Sequence, residues 1–115
     1  MNKQVIKIVC ANDGSVKWIK IKATLVDGVP GLAVHGESII GENGRRHQSR
    51  HMFLITHIAS GRAIGFTFPT IDYAIAGAKR IKDIVVWTKS MDELVGMGNW
   101  YTDIVPEIKE ALRNV

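Results

Sequence analysis

Between Gln4 and Cys10, Ile6, Ile8 and Cys10 alternate with Val5, Lys7 and Val9. This period of two predicts a β-strand. Asn12-Asp13-Gly14-Ser15 follows, and Asp-Gly suits the positive φ angles of a tight hairpin turn, so Val16 to Val26 should return antiparallel. In that run Ile19, Ile21, Ala23 and Leu25 point one way, and Trp18, Lys20, Lys22 and Thr24 the other. One face is apolar and the other basic. Asp27-Gly28-Val29-Pro30-Gly31 predicts a second turn, and Leu32 to His35 a short third strand. Gly36 to Gln48 carries three glycines and little periodicity, which predicts a loop or an irregular β extension.

Met52 to Ile58 is strongly β-prone, Ala59-Ser60-Gly61-Arg62 is a turn, and Ala63 to Phe68 continues as a strand. In this hairpin Ile64, Phe66 and Phe68 should present one face to the helix that follows. Thr70 is suited to cap that helix, with Asp72 in its first turn. Ile71, Ala74, Ile75, Ala78, Ile81 and Val85 recur at helical spacing, and Gly77 on this helix implies close approach to the sheet. Ser90-Met91-Asp92-Glu93 matches a capping box, and Gly96 and Gly98 limit that helix to about two turns. A last helix should start at Thr102-Asp103, with Ile104, Ile108, Ala111, Leu112 and Val115 on one face and Pro106 near its first turn. The expected fold is α+β: a curled antiparallel sheet of four to five strands, a packing helix, and one or two C-terminal helices.

Length and composition fit that outline. A chain of 115 residues has room for one modest core, so a single domain spanning residues 1–115 is expected. Hydrophobic residues are 46% and charged residues 23% of the chain, which argues against a disordered or fibrous class. Lys or Arg interrupts every long apolar window, so neither a membrane span nor an export signal is expected. Cys10 is the sole cysteine, which excludes an internal disulfide and zinc sites built on paired cysteines and fits a reducing, cytoplasmic setting.

The net charge of +4 is unevenly spread. Five lysines fall in the first 22 residues, whereas acidic residues concentrate after Asp83. Gly44 to His51 holds Arg45, Arg46 and Arg50 with His47 and His51, a set suited to phosphate oxygens through charge-assisted hydrogen bonds. Trp18 beside Lys20 and Lys22 adds an aromatic face able to stack a base while the lysines neutralise its backbone. Against these stand plainer roles: a solvated basic loop, lysines that keep a sheet from aggregating, and a tryptophan at the edge of the core.

Other chemistry finds little support. His47 and His51 are four apart, a spacing that suits metal ligation on a helix, but they fall in a segment expected to be a loop. Cys10 sits in an apolar strand, Ser60-Gly61 at a hairpin tip, and Gly41-Glu42-Asn43-Gly44 matches no phosphate loop. No enzyme, metal or cofactor is expected.

Thr56-His57-Ile58-Ala59-Ser60-Gly61-Arg62-Ala63-Ile64-Gly65-Phe66, followed by a helix with Ala74 and Ala78, resembles small uncharacterised phage and mobile-element proteins. These carry a TH-x-x-[ST]-G-x-A hairpin before a helix. The likeness spans about 30 residues, and implies a folding device rather than an activity. The element order also looks like the single-stranded-DNA-binding coactivator and whirly folds, which implies nucleic-acid binding on a curved sheet and dimerisation. The helical segments after Val86 depart from that pattern. Two functions follow as expectations. The first is a nucleic-acid-binding accessory protein, single strands included, acting through Arg45, Arg46, Arg50, Lys20, Lys22 and Trp18. The second is a non-enzymatic protein-interaction module, such as a host-directed phage inhibitor, that uses Met91 to Tyr101.

Overall fold

A computed structural model describes residues 2–12, 15–113 and 115. Five strands, β1 (Lys3–Asn12), β2 (Ser15–Leu25), β3 (Leu32–Ile40), β4 (Arg46–His57) and β5 (Arg62–Phe68), form one antiparallel sheet in the order β1-β2-β3-β4-β5. Each strand pairs with its neighbour in sequence, as turns too short for a crossover require. The expected Asp13-Gly14 turn lies outside the described residues, but the β1–β2 register runs unbroken from Lys3↔Thr24 to Asn12↔Ser15. The helices follow: α1 (Ile71–Arg80), α2 (Met91–Gly96), a wide π-type turn at Trp100–Ile104, and α3 (Val105–Leu112). The expected α+β architecture is what the chain adopts. No described helix is long and apolar enough to cross a membrane.

Alternation along β3 divides the interior in two, because successive strand residues point to opposite faces. Val34 joins the larger core, where Ile55, Ile64 and Phe68 meet Ala74, Ala78, Ile81, Trp87 and Ile108 of the helical layer. Ala33 joins a smaller one on the other face, with Ile6, Ile8 and Ala23 of the β1–β2 ribbon. The ribbon therefore curls across the side of the sheet that the helices leave open. Backbone pairing holds it there at two places. The β2–β3 ladder has just two residue pairs, Thr24↔Val34 and Leu25↔Ala33. At the far side, Val9 N–H donates to Gly61 O at 2.9 Å, tying β1 to the β4–β5 turn.

Gly61 makes that second contact possible. It has φ +69°, and a Cβ there would lie 2.7 Å from Lys7 O and from Trp18 Cζ3. Gly61→Ala is expected to cost about 1–3 kcal/mol through combined strain and overlap. Chemical denaturation would read that loss, and hydrogen exchange should show it concentrated in the β1 amides near Val9.

Thr70 caps α1, its side chain accepting from Tyr73 N–H, and Asp72 lies in the first turn, as expected. Gly77 is buried where a Cβ would come within 3.1–3.2 Å of Phe68, Ile55 and Leu112, so the close approach is real. The stripe expected to run helically to Val85 instead stops at Arg80. Ile81 O accepts from Ile84 N–H at 3.2 Å and from the Trp87 indole at 2.8 Å, bonds that turn the chain instead of continuing the helix. Phe66 also departs from expectation. The β4–β5 register shifts between Leu54↔Thr67 and Thr56↔Ala63, with Gly65 at φ +69°, and Phe66 is turned outward to 40% exposure while Ile64 and Phe68 stay buried. The Ser90–Glu93 capping box is complete in both directions. The last helix is preceded by the wide Trp100–Ile104 turn and starts at Val105, not Thr102, with Pro106 in its first turn.

Candidate nucleic-acid interface

Of the two readings open for Gly36 to Gln48, a loop or an irregular β extension, the chain adopts the second. β3 runs to Ile40, a tight turn brings Gly41 N–H onto Arg45 O at 2.9 Å, and β4 begins at Arg46. Irregularity is confined to one place. The register passes from Gly36↔Phe53 to Ser38↔Gln48, leaving Ser49 to Met52 opposite Glu37 alone. The buried Ser49 hydroxyl accepts from His51 and Met52 N–H at 3.1 and 3.2 Å, satisfying the donors that the excursion removes from the ladder. A Cβ on Gly36 would lie 2.2 Å from Ser49 O, so only glycine fits opposite the excursion. Sequence periodicity fails here because a bulge breaks the alternation that marks a strand.

Beyond Thr24↔Val34 the ribbon and the β3–β4 extension separate. Gln48 spans the start of the gap: its Nε2 donates to Lys22 O at 2.8 Å and its Oε1 accepts from Gly36 N–H at 3.0 Å. The side-chain amide thus replaces the ladder where the strands part. The gap continues as a groove of about 320 Å³ lined by Ile19, Lys20, Ile21, Lys22, Ser38, Arg46, His47 and Gln48. No acidic side chain lines it. Arg46 donates to Ser38 Oγ at 3.4 Å, and among the described residues none of Lys20, Lys22 and Arg46 has a carboxylate within 4.0 Å.

Three of the six sequence candidates, Lys20, Lys22 and Arg46, therefore meet around one groove. The others lie around it. Arg45 is exposed at the β3–β4 turn, and Arg50 is exposed in the excursion. Trp18 is 59% exposed and lines a separate depression with Lys7, Ile19 and Lys20. Lys7 and Lys3 were not among the candidates. Register reveals them: Lys7↔Lys20 and Lys3↔Thr24 put both on the basic face of the ribbon.

The histidines differ in setting. His47 lines the groove, and His51 is exposed in the excursion. His57 is fully buried, its Nε2–H donating to Lys89 O and its Nδ1 lying 2.8 Å from Ser60 Oγ. The described residues contain no group of three or more His, Cys, Asp or Glu placed to hold a metal ion.

His35 lines a neighbouring cleft of about 220 Å³, with Cys10, Glu37 and Thr56 among others, which shares Ser38 and Arg46 with the groove. Its Nδ1–H donates to Gly36 O at 2.8 Å, leaving Nε2 of the neutral ring to accept from the Thr56 hydroxyl at 2.7 Å. Burial pushes the imidazole below the usual histidine range, opposed in part by the bond to Gly36 O. The folded state thus disfavours the proton that the unfolded chain takes up near its ordinary pKa of 6.5. Stability should be full above pH 6.5 and fall as pH drops from there toward the depressed folded value. Urea midpoints measured across that range test this, and His35→Gln should flatten the decline.

The Met91–Tyr101 segment divides between core and surface. Leu94 and Trp100 are buried, whereas Met97 and Tyr101 are exposed. No protein-family model, curated protein or solved structure matches the chain.

Proposed function

We propose that the protein is a nucleic-acid-binding accessory protein that takes a sugar-phosphate backbone into the groove between the β1–β2 ribbon and the β3–β4 extension. One observation carries this reading: Lys20 and Lys22 of β2 and Arg46 of β4 converge on a groove with no acidic lining and no carboxylate partner among the described residues. Cations drawn from two strands to one groove make a local positive field that a polyanion fits. Arg46 brings a planar fork that can engage two phosphate oxygens, and the lysines add mobile point charges. Arg45, Arg50, Lys3 and Lys7 extend the positive field around the groove and favour encounter with a polyanion.

Fluorescence polarisation with labelled single- and double-stranded oligonucleotides, at low and physiological salt, tests the proposal. Binding should be clear at low salt and weaken steeply as salt rises, because bound cations release condensed counter-ions from the nucleic acid. Absence of binding at low salt overturns the reading.

A further inference from the structure

We infer that the nucleic acid recognised is single-stranded, DNA or RNA, and that one unpaired base stacks on Trp18 while its flanking phosphates lie on Lys7 and Lys20. This rests on the proposed function above and sharpens its substrate class. The first support is the setting of Trp18. Trp87 and Trp100 are buried at 2% and 7% exposure, whereas Trp18 is 59% exposed on a two-stranded ribbon. It is also held in place. A Cβ on Gly61 would come within 2.7 Å of Trp18 Cζ3, so the benzenoid edge of the indole reaches the β4–β5 turn. A large apolar ring anchored at one edge and open to solvent is a stacking platform.

The second support is a local rule that the ribbon breaks. Lys7 and Lys20 are direct cross-strand partners, and like charges opposite one another destabilise a sheet. Both line the depression beside Trp18 and Ile19, whose volume is about 560 Å³. No carboxylate lies within 4.0 Å of either among the described residues. An unfavourable pair kept without a counter-ion marks a place where an anion compensates from outside.

The third support is continuity. Lys20 lines both this depression and the groove that holds Lys22 and Arg46. From Lys22 to Trp18 the strand advances four residues, about 13 Å. A backbone leaving the groove past Lys20 thus reaches the indole directly. Bases in a duplex are already stacked and paired, so their faces are closed to an external ring unless flipped out. An extended single strand offers an open face at no such cost.

Two readouts on the intact chain test this, using oligothymidylate, oligouridylate and a hairpin-free duplex of matched length. Trp18 is the one tryptophan accessible to a soluble collisional quencher, so either single strand should shield it and duplex should not. Trp18→Ala should weaken single-strand binding by about 5- to 150-fold and leave duplex binding unchanged, whereas Trp18→Phe should restore most of the loss. An unshielded Trp18, or equal losses on single strand and duplex, would overturn the inference. Either result with salt-sensitive binding intact leaves the groove reading standing. No binding of any oligonucleotide at low salt removes both.

Discussion

Trp87→Ala should lower stability by about 3–5 kcal/mol, a large share of the roughly 5–15 kcal/mol that holds a domain of ordinary size together. Trp87 is 2% exposed and joins several elements at once. Its indole N–H donates to Ile81 O at the end of α1, one ring edge meets His57 of β4 at 6.0 Å between centroids, and another meets Trp100 at 6.4 Å. Truncation would leave a cavity among groups that cannot all collapse into it, and would take from Ile81 O one of its two hydrogen bonds. The melting temperature should fall by roughly 10 to 20 °C. Trp87→Phe, which keeps a ring but loses the donor, should cost about 1–2 kcal/mol. A melting curve for each variant reads both values. Equal losses would mean that the hydrogen bond, and not the packing, dominates.

The second large effect concerns binding. Replacing Lys20, Lys22 and Arg46 together by alanine should reduce the slope of log K against log salt by about two to three, close to one unit per phosphate contact removed. At low salt the affinity should fall by about 100-fold or more, since each charged hydrogen bond contributes about 1 kcal/mol or more. All three side chains sit on the rim of an open groove, and stability should change little. A matched triple variant of Lys79, Arg80 and Lys82, at the end of α1 and just beyond it, removes the same charge elsewhere on the molecule. It should leave most of the slope in place. If both triples lower the slope equally, net charge rather than the groove governs binding.

The chain announces much of this fold because most of it follows simple periods. The ribbon's alternation, the Ile71–Ala78 stripe and the Ser90–Glu93 box are local patterns, and local chemistry decides them. What the sequence hid was decided by contacts distant along the chain. The excursion at Ser49–Met52 depends on Gly36 yielding room on the neighbouring strand, and the pairing of Ser38–Ile40 with Arg46–Gln48 decides between the loop and the irregular β extension that Gly36 to Gln48 left open. The stop at Arg80 goes with an indole seven residues further on that bonds to Ile81 O, which no helical stripe foretells.

The candidate site was legible as residue types but not as a place. Lys20 and Lys22 stood out through alternation, and Arg46 through the crowding of arginines. Their convergence required knowing that the β2–β3 ladder lapses after two pairs and that Gln48 bridges the parting. The crowding did not separate Arg46 from its neighbours, because Arg45 and Arg50 lie on a turn and an excursion outside the groove lining. Lys7 was passed over since one strand's pattern says nothing about its partner. The register with Lys20 is what gives it meaning.

The central claim, that the ribbon–sheet groove receives a nucleic-acid backbone, is tested most directly by following backbone amide and tryptophan indole NMR signals during titration with an oligonucleotide. The account predicts shifts clustered at Lys20, Lys22, Ser38, Arg46, His47 and Gln48, spreading to Lys7 and the Trp18 indole for a single strand. Saturating shifts confined to the helical layer, around Tyr101 and Lys109, with the groove signals unmoved, would contradict it.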